Sequence, residues 1–354
     1  MKLKLWLRNV VLFTSGWIIS LLVWRFIRIS GAQSSLEALN LNQTYFYYLV
    51  FCICVSIIAG LIFGSVQYYY ENATNKKVSF KTLFLSALFA HIAIMLFIYV
   101  GIFFIINGSG LAPNLTFNDF IFNATIAANL LYSLIINSLI VFILYLGKLF
   151  GRGNLFKMIT GQFYHPKEEL RLFMFLDLES STLIAEKLGH LKYSALIQDC
   201  FYDLSVLEDS NANVYQYVGD EAVLTWRLKS DKINAQVLDS IHAFFLYKHR
   251  LEDRKQYYLN TYGLVPKFKA GLHQGLVTTV EVGSLKKEIA YHGETMNIGS
   301  RIQGLCKQYG EELLISEQVY ESINSNKEYI FKQVDQTTLK GKTKATLIYS
   351  VNKA

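Results

Sequence analysis

The sequence predicts an α+β protein in two parts: a four-helix transmembrane bundle, then a domain with a ferredoxin-like order of elements. Composition is the first reason. The chain has 354 residues, 52% of them hydrophobic and 17% charged, too apolar for one water-soluble domain. The excess falls in four apolar runs, about 9–25, 45–68, 82–106 and 120–149, each near the roughly 20 residues that cross a bilayer. From about residue 168 onward the pattern changes to β-α-β-β-α-β with an appended helix and strands, a ferredoxin-like core. The expected division is therefore 1–149 for the membrane part, 150–167 for a linker and 168–354 for the following domain.

The first apolar run has the length of a signal peptide, but Trp17, Trp24 and the Arg25–Arg28 region do not form a small-residue cleavage site, so it reads as a retained helix. Lys2, Lys4 and Arg8 precede it, Lys76, Lys77 and Lys81 separate the second and third runs, and Lys148, Arg152 and Lys157 follow the fourth. Residues 107–119 carry no Lys or Arg. The positive-inside rule then puts both termini and the second domain in the cytoplasm of a multi-pass inner-membrane protein, with Arg25 and Arg28 as dissenting charges. Gly60, Gly64, Gly101 and the alanines at 124, 127 and 128 suggest close helix packing. His91, ionisable within a span, reads either as a functional group or, preferably, as a neutral ring bonded to a neighbouring helix.

In the linker, Gly151, Gly153 and Gly161 argue against one rigid helix, 154–160 can form a short amphipathic one, and Pro166 introduces a strand. Periodicity then predicts a helix over 181–207, a hairpin over 215–227 and a second helix over 233–258. Strands are expected over 268–282 and 288–292, a helix over 294–309 closed by Gly310, a strand at 313–315, and a final strand pair around 329–334 and 346–351.

Two stretches carry chemistry. The run Arg171–Thr182, RLFMFLDLESST, is an apolar strand ending in Asp177, followed by a polar turn and a helix start. That turn offers backbone N–H groups to a phosphate, although Asp-x-x-Ser-Ser-Thr is also an ordinary helix N-cap. The second stretch, NVYQYVGDEAVLTW at 213–226, is a strand, a Gly219-Asp220 turn and a strand. A Gly-Asp turn is common in hairpins. Packed beside the first strand, however, it brings Asp220 next to Asp177, and two like charges call for a cation such as magnesium.

These two stretches, with GETMNIGSR at 293–301, resemble the signature regions of class III nucleotide cyclases over roughly 168–351. The resemblance implies that Asp177 and Asp220 bind two metal ions, Mg²⁺ or Mn²⁺, in each site. It implies that Asn297 and Arg301 serve the site from the other subunit of a homodimer, and that Lys340 of the final hairpin meets the terminal phosphates. The backbone of Leu178, Glu179, Ser180, Ser181 and Thr182 would cradle the β- and γ-phosphates. The implied reaction is attack of a ribose 3′-hydroxyl on the α-phosphorus with loss of pyrophosphate. The base-selecting positions are Gln216 and Ala290, and both depart from the family's usual residues: glutamine suits either purine edge, and alanine offers no side-chain hydrogen bond.

The expectation is an adenylate cyclase acting on ATP, held in the membrane lipid. A guanylate cyclase, or a catalytically weak cyclase-like sensor and dimerisation module, stands as the alternative. A diguanylate cyclase shares Gly219-Asp220-Glu221 but has Val218 in place of its other glycine. The net charge of +7 comes with no basic stripe interleaved with exposed aromatics, which argues against a nucleic-acid partner. Four cysteines, two within an apolar run and two isolated, read as reduced or buried thiols.

Overall fold

The computed structural model describes residues 2–30, 42–73, 79–110, 114–151, 153–323, 327–337 and 346–354. The chain divides into two compact units, Met1–Leu149 and Phe150–Ala354.

The first unit contains helices α1 (Lys2–Ser30), α2 (Asn42–Ala73), α3 (Phe80–Gly108), the short α4 (Phe117–Ile121) and α5 (Ala124–Leu149). Four of these are long and apolar enough to cross a membrane: Leu5–Trp24, Leu49–Tyr70, Lys81–Gly108 and Ala124–Leu149. The fourth starts later than the sequence pattern suggested. The chain breaks after Ile121, and the Asn123 side chain caps the new helix by accepting the N–H of Thr125 at 2.8 Å. Gly60 and Gly64 pack as expected: a Cβ on Gly60 would lie 1.9 Å from Thr14 Oγ1, and one on Gly64 would lie 2.7 Å from Val10 Cα. α1 and α2 therefore touch backbone to backbone. Gly101 and the three alanines play no such part here, since nothing lies within 4 Å of a Cβ on Gly101 and the alanines are exposed. Buried His91 bonds through Nε2 to Ser133 Oγ of α5 at 3.0 Å. The Ser133 hydroxyl donates its proton to Leu130 O, so His91 Nε2 is the donor to it.

The second unit begins with the linker. α6 (Asn154–Ile159) lies between glycines at positive φ, 73° at Gly153 and 65° at Gly161. Phe163 follows and is buried, its carbonyl accepting the N–H of Glu281 at 2.8 Å. Then come β1 (Lys167–Leu178), α7 (Ser181–Leu188), α8 (His190–Asp203), a 3₁₀ turn, β2 (Asn213–Val218), β3 (Glu221–Arg227), α9 (Ile233–Asp253) and α10 (Lys255–Tyr262). β4 (Phe268–Val282), β5 (Glu288–His292), α11 (Glu294–Tyr309), β6 (Leu313–Ser316), α12 (Glu317–Glu321), β7 (Tyr329–Thr337) and β8 (Thr346–Lys353) complete it. The helix expected over 181–207 is interrupted at Gly189, whose φ of 73° no helix accommodates. The helix expected over 233–258 breaks at Arg254, which turns to bind Asp203 at 2.7 Å.

One eight-stranded sheet runs β2-β3-β1-β4-β6-β8-β7, with β5 paired to β4. Its first four strands have the ferredoxin-like order β4-β1-β3-β2, as expected from the sequence. Strand alternation sorts β1 cleanly. Leu172, Met174, Leu176 and Leu178 join the main core with α8 and α9, while Phe173 and Phe175 face the other side with Val223, Val277 and Met296 of α11. Beneath α8 lies a polar network the sequence pattern gave no hint of. Fully buried Asp203 accepts from Arg250 Nε at 3.0 Å, Arg254 Nη1 at 2.7 Å and Tyr258 Oη at 2.7 Å. All four cysteines are free thiols, and burial pushes Cys306 up to about 12.

Candidate active site

β1 positions the first acid. By alternation Asp177 shares the face of Phe173 and Phe175, the side covered by α11, and is half-buried there. β3 runs antiparallel beside β1 with Glu221 opposite Asp177. The β2–β3 turn closes through Gly219, at φ 61°, so Asp220 precedes Glu221 directly. The hairpin thus brings Asp220 beside Asp177. Burial, then the neighbouring Asp220 charge, pushes the Asp177 carboxyl above the usual carboxylate range, and a hydrogen bond from Gln303 opposes the shift. Glu221 is raised for similar reasons, by burial first and then by Asp177 and Asp220. Lys269, opposite Asp177 in β4, is paired instead with Glu179 at 2.9 Å.

Acids crowded in this way suit a hard divalent cation, which takes one or two carboxylates and completes its shell with phosphate and water. The donor set therefore fits magnesium or manganese. Among the described residues, no group of three or more His, Cys, Asp and Glu side chains is arranged to hold a metal by itself.

The turn after β1 is more constrained than the sequence suggested. Leu178 is buried, and the Glu179 N–H donates to Lys267 O at 2.8 Å, so that amide is already engaged. Ser180 is left-handed, at φ 59° and ψ 32°, and α7 has no side-chain cap. Ser181 and Thr182 therefore carry the first-turn amides of α7 without a capping side chain. Tyr193 of α8 lies within reach of this corner. Its hydroxyl is raised by burial and by Asp220 and Asp177, with a Ser181 hydrogen bond opposing.

α11 carries two faces. Thr295, Ile298, Gly299, Ile302 and Cys306 are buried against the sheet. Gln303 belongs to that side and donates from Nε2 to Asp177 Oδ2 at 3.2 Å. Asn297 and Arg301, one turn apart, are exposed on the other side of the helix. The structure does not bring them to the acids of their own chain. Gln216 is exposed on β2, opposite Val223, and Ala290 is buried in β5, opposite Val280. Their sequence neighbours Tyr215 and Tyr291 meet with ring centroids 4.9 Å apart, which joins β2 to β5. Lys340 lies outside the described residues.

Residues 164–353 match the family model for the adenylate and guanylate cyclase catalytic domain. The chain belongs to the class III cyclases. The cyclase is similar to Adenylate cyclase 2 of Rhizobium meliloti (strain 1021), at 33% identity over 189 residues, covering 53% of this chain and 51% of that protein. It is also similar to Adenylate cyclase of Anabaena cylindrica, at 25% identity, covering 50% of this chain and 36% of that protein. The cyclase therefore spans about half the length of these relatives or less. Its fold matches the structure of a bacterial light-regulated adenylyl cyclase with a TM-score of 0.54 at 17% identity, covering 66% of this chain and 67% of that one.

Two participants in this corner escaped sequence reasoning. Gln303 is one polar residue among several on an amphipathic helix, and only the Gly299–Phe175 contact one turn earlier explains how it reaches β1. Tyr193 looked like any aromatic on a core-facing helix.

Proposed function

We propose that this class III cyclase is a membrane-bound adenylate cyclase that converts ATP to cyclic AMP and pyrophosphate at a homodimer interface. The observation that carries the reading is the Asp177–Asp220 pair, two carboxylates held together against burial and mutual repulsion. Asp177 and Asp220 would hold two Mg²⁺ or Mn²⁺ ions. Bound there, divalent cations make the 3′-hydroxyl a better nucleophile and neutralise charge on the triphosphate.

The chain's own residues bind and orient. The first-turn amides at Ser181 and Thr182 favour the β- and γ-phosphates. Arg301 supplies a fixed cation for charge developing at the α-phosphorus, and Asn297 orients the ribose. Both lie on the exposed face of α11, away from Asp177 of their own chain, which supports delivery to a second subunit. Lys340, through family resemblance, meets the terminal phosphates. Exposed Gln216 can present either its amide or its carbonyl to the base, and Ala290 shapes the pocket without bonding. Preference for ATP rests on the relatives named above, both adenylate cyclases. The lysine distribution supports a cytoplasmic catalytic domain in a multi-pass inner-membrane protein.

The test is the purified full chain with Mn²⁺ and either ATP or GTP, with the product identified by chromatography. Cyclic AMP from ATP, lost in Asp177→Asn, is expected. Cyclic GMP from GTP alone, or no turnover of either nucleotide, would overturn the assignment.

A further inference from the structure

The contact between Gln303 and Asp177 gives α11 a second role. The helix is seated on the sheet without slack. A Cβ on Gly271 of β4 would lie 2.2 Å from the backbone N and 2.7 Å from the Cα of Gln303. One on Gly299 would lie 2.7 Å from the Phe175 ring of β1. The α11 backbone at residue 303 is thus pressed directly on β4, two positions from Lys269, which stands opposite Asp177 in the β1–β4 ladder. From that seat the Gln303 amide donates to Asp177 Oδ2. A neutral N–H donor fixes the rotation of the carboxylate and leaves its other lone pairs for a cation. It adds no charge of its own to a corner that already holds Asp177, Asp220 and Glu221.

We propose that Gln303 is a positioning residue for the acid pair of its own chain, so that each α11 serves both sites of a dimer. It orients Asp177 through Gln303 and supplies the opposite site through Asn297 and Arg301. This rests on the cross-subunit reading above. Outer-shell hydrogen bonds that orient a metal-binding carboxylate change metal affinity by about 10–100-fold when removed, so the effect is large enough to measure.

The experiment uses full-length heterodimers selected by two tags, one chain carrying Asp177→Asn and the other Arg301→Ala. Such a pair holds one site with both lesions and one with none; the intact site takes its acids from the Arg301→Ala chain and its arginine from the Asp177→Asn chain. Gln303→Met, close in size but without the amide, is added to one chain or the other. Mn²⁺ binding is followed by the loss of the free-ion electron paramagnetic resonance signal, with 3′-deoxy-ATP as a nucleotide that cannot cyclise.

The expected result is about tenfold weaker Mn²⁺ binding when Gln303→Met sits on the Arg301→Ala chain, and unchanged binding when it sits on the Asp177→Asn chain. Equal weakening from both placements, or none from either, would overturn the proposal. If Gln303→Met lowers the yield of folded chain, Gln303→Ala makes the same comparison. Cyclase activity of the heterodimer with native Gln303 tests the cross-subunit reading separately: no activity there refutes that reading, while the Mn²⁺ titration still reports on Gln303.

Discussion

Asp177 and Glu221 face each other across the β1–β3 ladder, and the residue before Glu221 is Asp220. Three acids thus occupy one corner of the sheet, and two are raised in pKa: Asp177 by burial and then Asp220, Glu221 by burial and then Asp177 and Asp220. Ionising a group whose folded pKa is raised costs stability, and that cost is present above the folded value. It is relieved as pH falls through the folded value toward the ordinary carboxylate range.

Asp177→Asn should therefore leave the folded chain as stable as the native one, or more so, at neutral pH. The gain in stability that the native chain shows on mild acidification should shrink in this variant. Mn²⁺ with nucleotide should raise the melting temperature of the native chain and not of Asp177→Asn. Cyclase activity should fall by at least about 10²-fold. Thermal melts across pH, paired with product formation, check all of these; a variant that melts early and still cyclises ATP would contradict the acid-pair reading.

Gly271→Ala should dislodge α11, because the new Cβ would lie 2.2 Å from the Gln303 backbone nitrogen and neither backbone can move aside cheaply. Overpacking of this kind costs about 1–3 kcal/mol or more. The expected outcome is a lower denaturation midpoint together with loss of activity, since the displaced helix carries Asn297, Arg301 and Gln303. Gly304→Ala is the control for the denaturation midpoint, as nothing in the chain lies within 4 Å of a Cβ at that position.

Asp203→Ala should be among the most destabilising changes in the second unit. It removes the acceptor shared by Arg250, Arg254 and Tyr258 and leaves two arginines without their buried partner, at a cost of about 3–5 kcal/mol. Denaturant titration followed through the emission of buried Trp226 would measure it. A change below about 1 kcal/mol would mean the network is solvated.

Topology can be checked with reporter fusions. One placed after Gly151 and one placed within 107–119 should report opposite sides of the membrane, the first cytoplasmic. The same side for both would refute the four-span arrangement.

Much of this was readable in the sequence because the relevant signals are local. A Gly-Asp turn between two strand-forming runs fixes Asp220, an apolar run ending in an acid fixes Asp177, and the spacing of Asn297 and Arg301 puts them on one helical face. What escaped is set by long-range packing. Gln303 meets Asp177 across 126 positions of sequence, and Asp203 meets Arg254 across 51; neither pair leaves a periodic trace. The breaks at Gly189 and Arg254 escaped because apolar periodicity continues through them, although backbone conformation and ion pairing do not. The late start of the fourth span escaped for the same reason, since Phe120 to Phe122 continue its apolar run.

The linker residue Phe163 is buried, and its carbonyl accepts the N–H of Glu281 in β4. Lys269, near the other end of that strand, is the ladder partner of Asp177. One strand thus spans from the linker to the acid corner, over roughly 40 Å at the usual rise per residue. Along most of that length it is bonded in unbroken register to β1, from Lys167–Thr279 to Leu178–Phe268. Such a ladder loads many hydrogen bonds in parallel and behaves as a stiff beam. That ladder ties the linker end of β4 directly to the strand that carries Asp177.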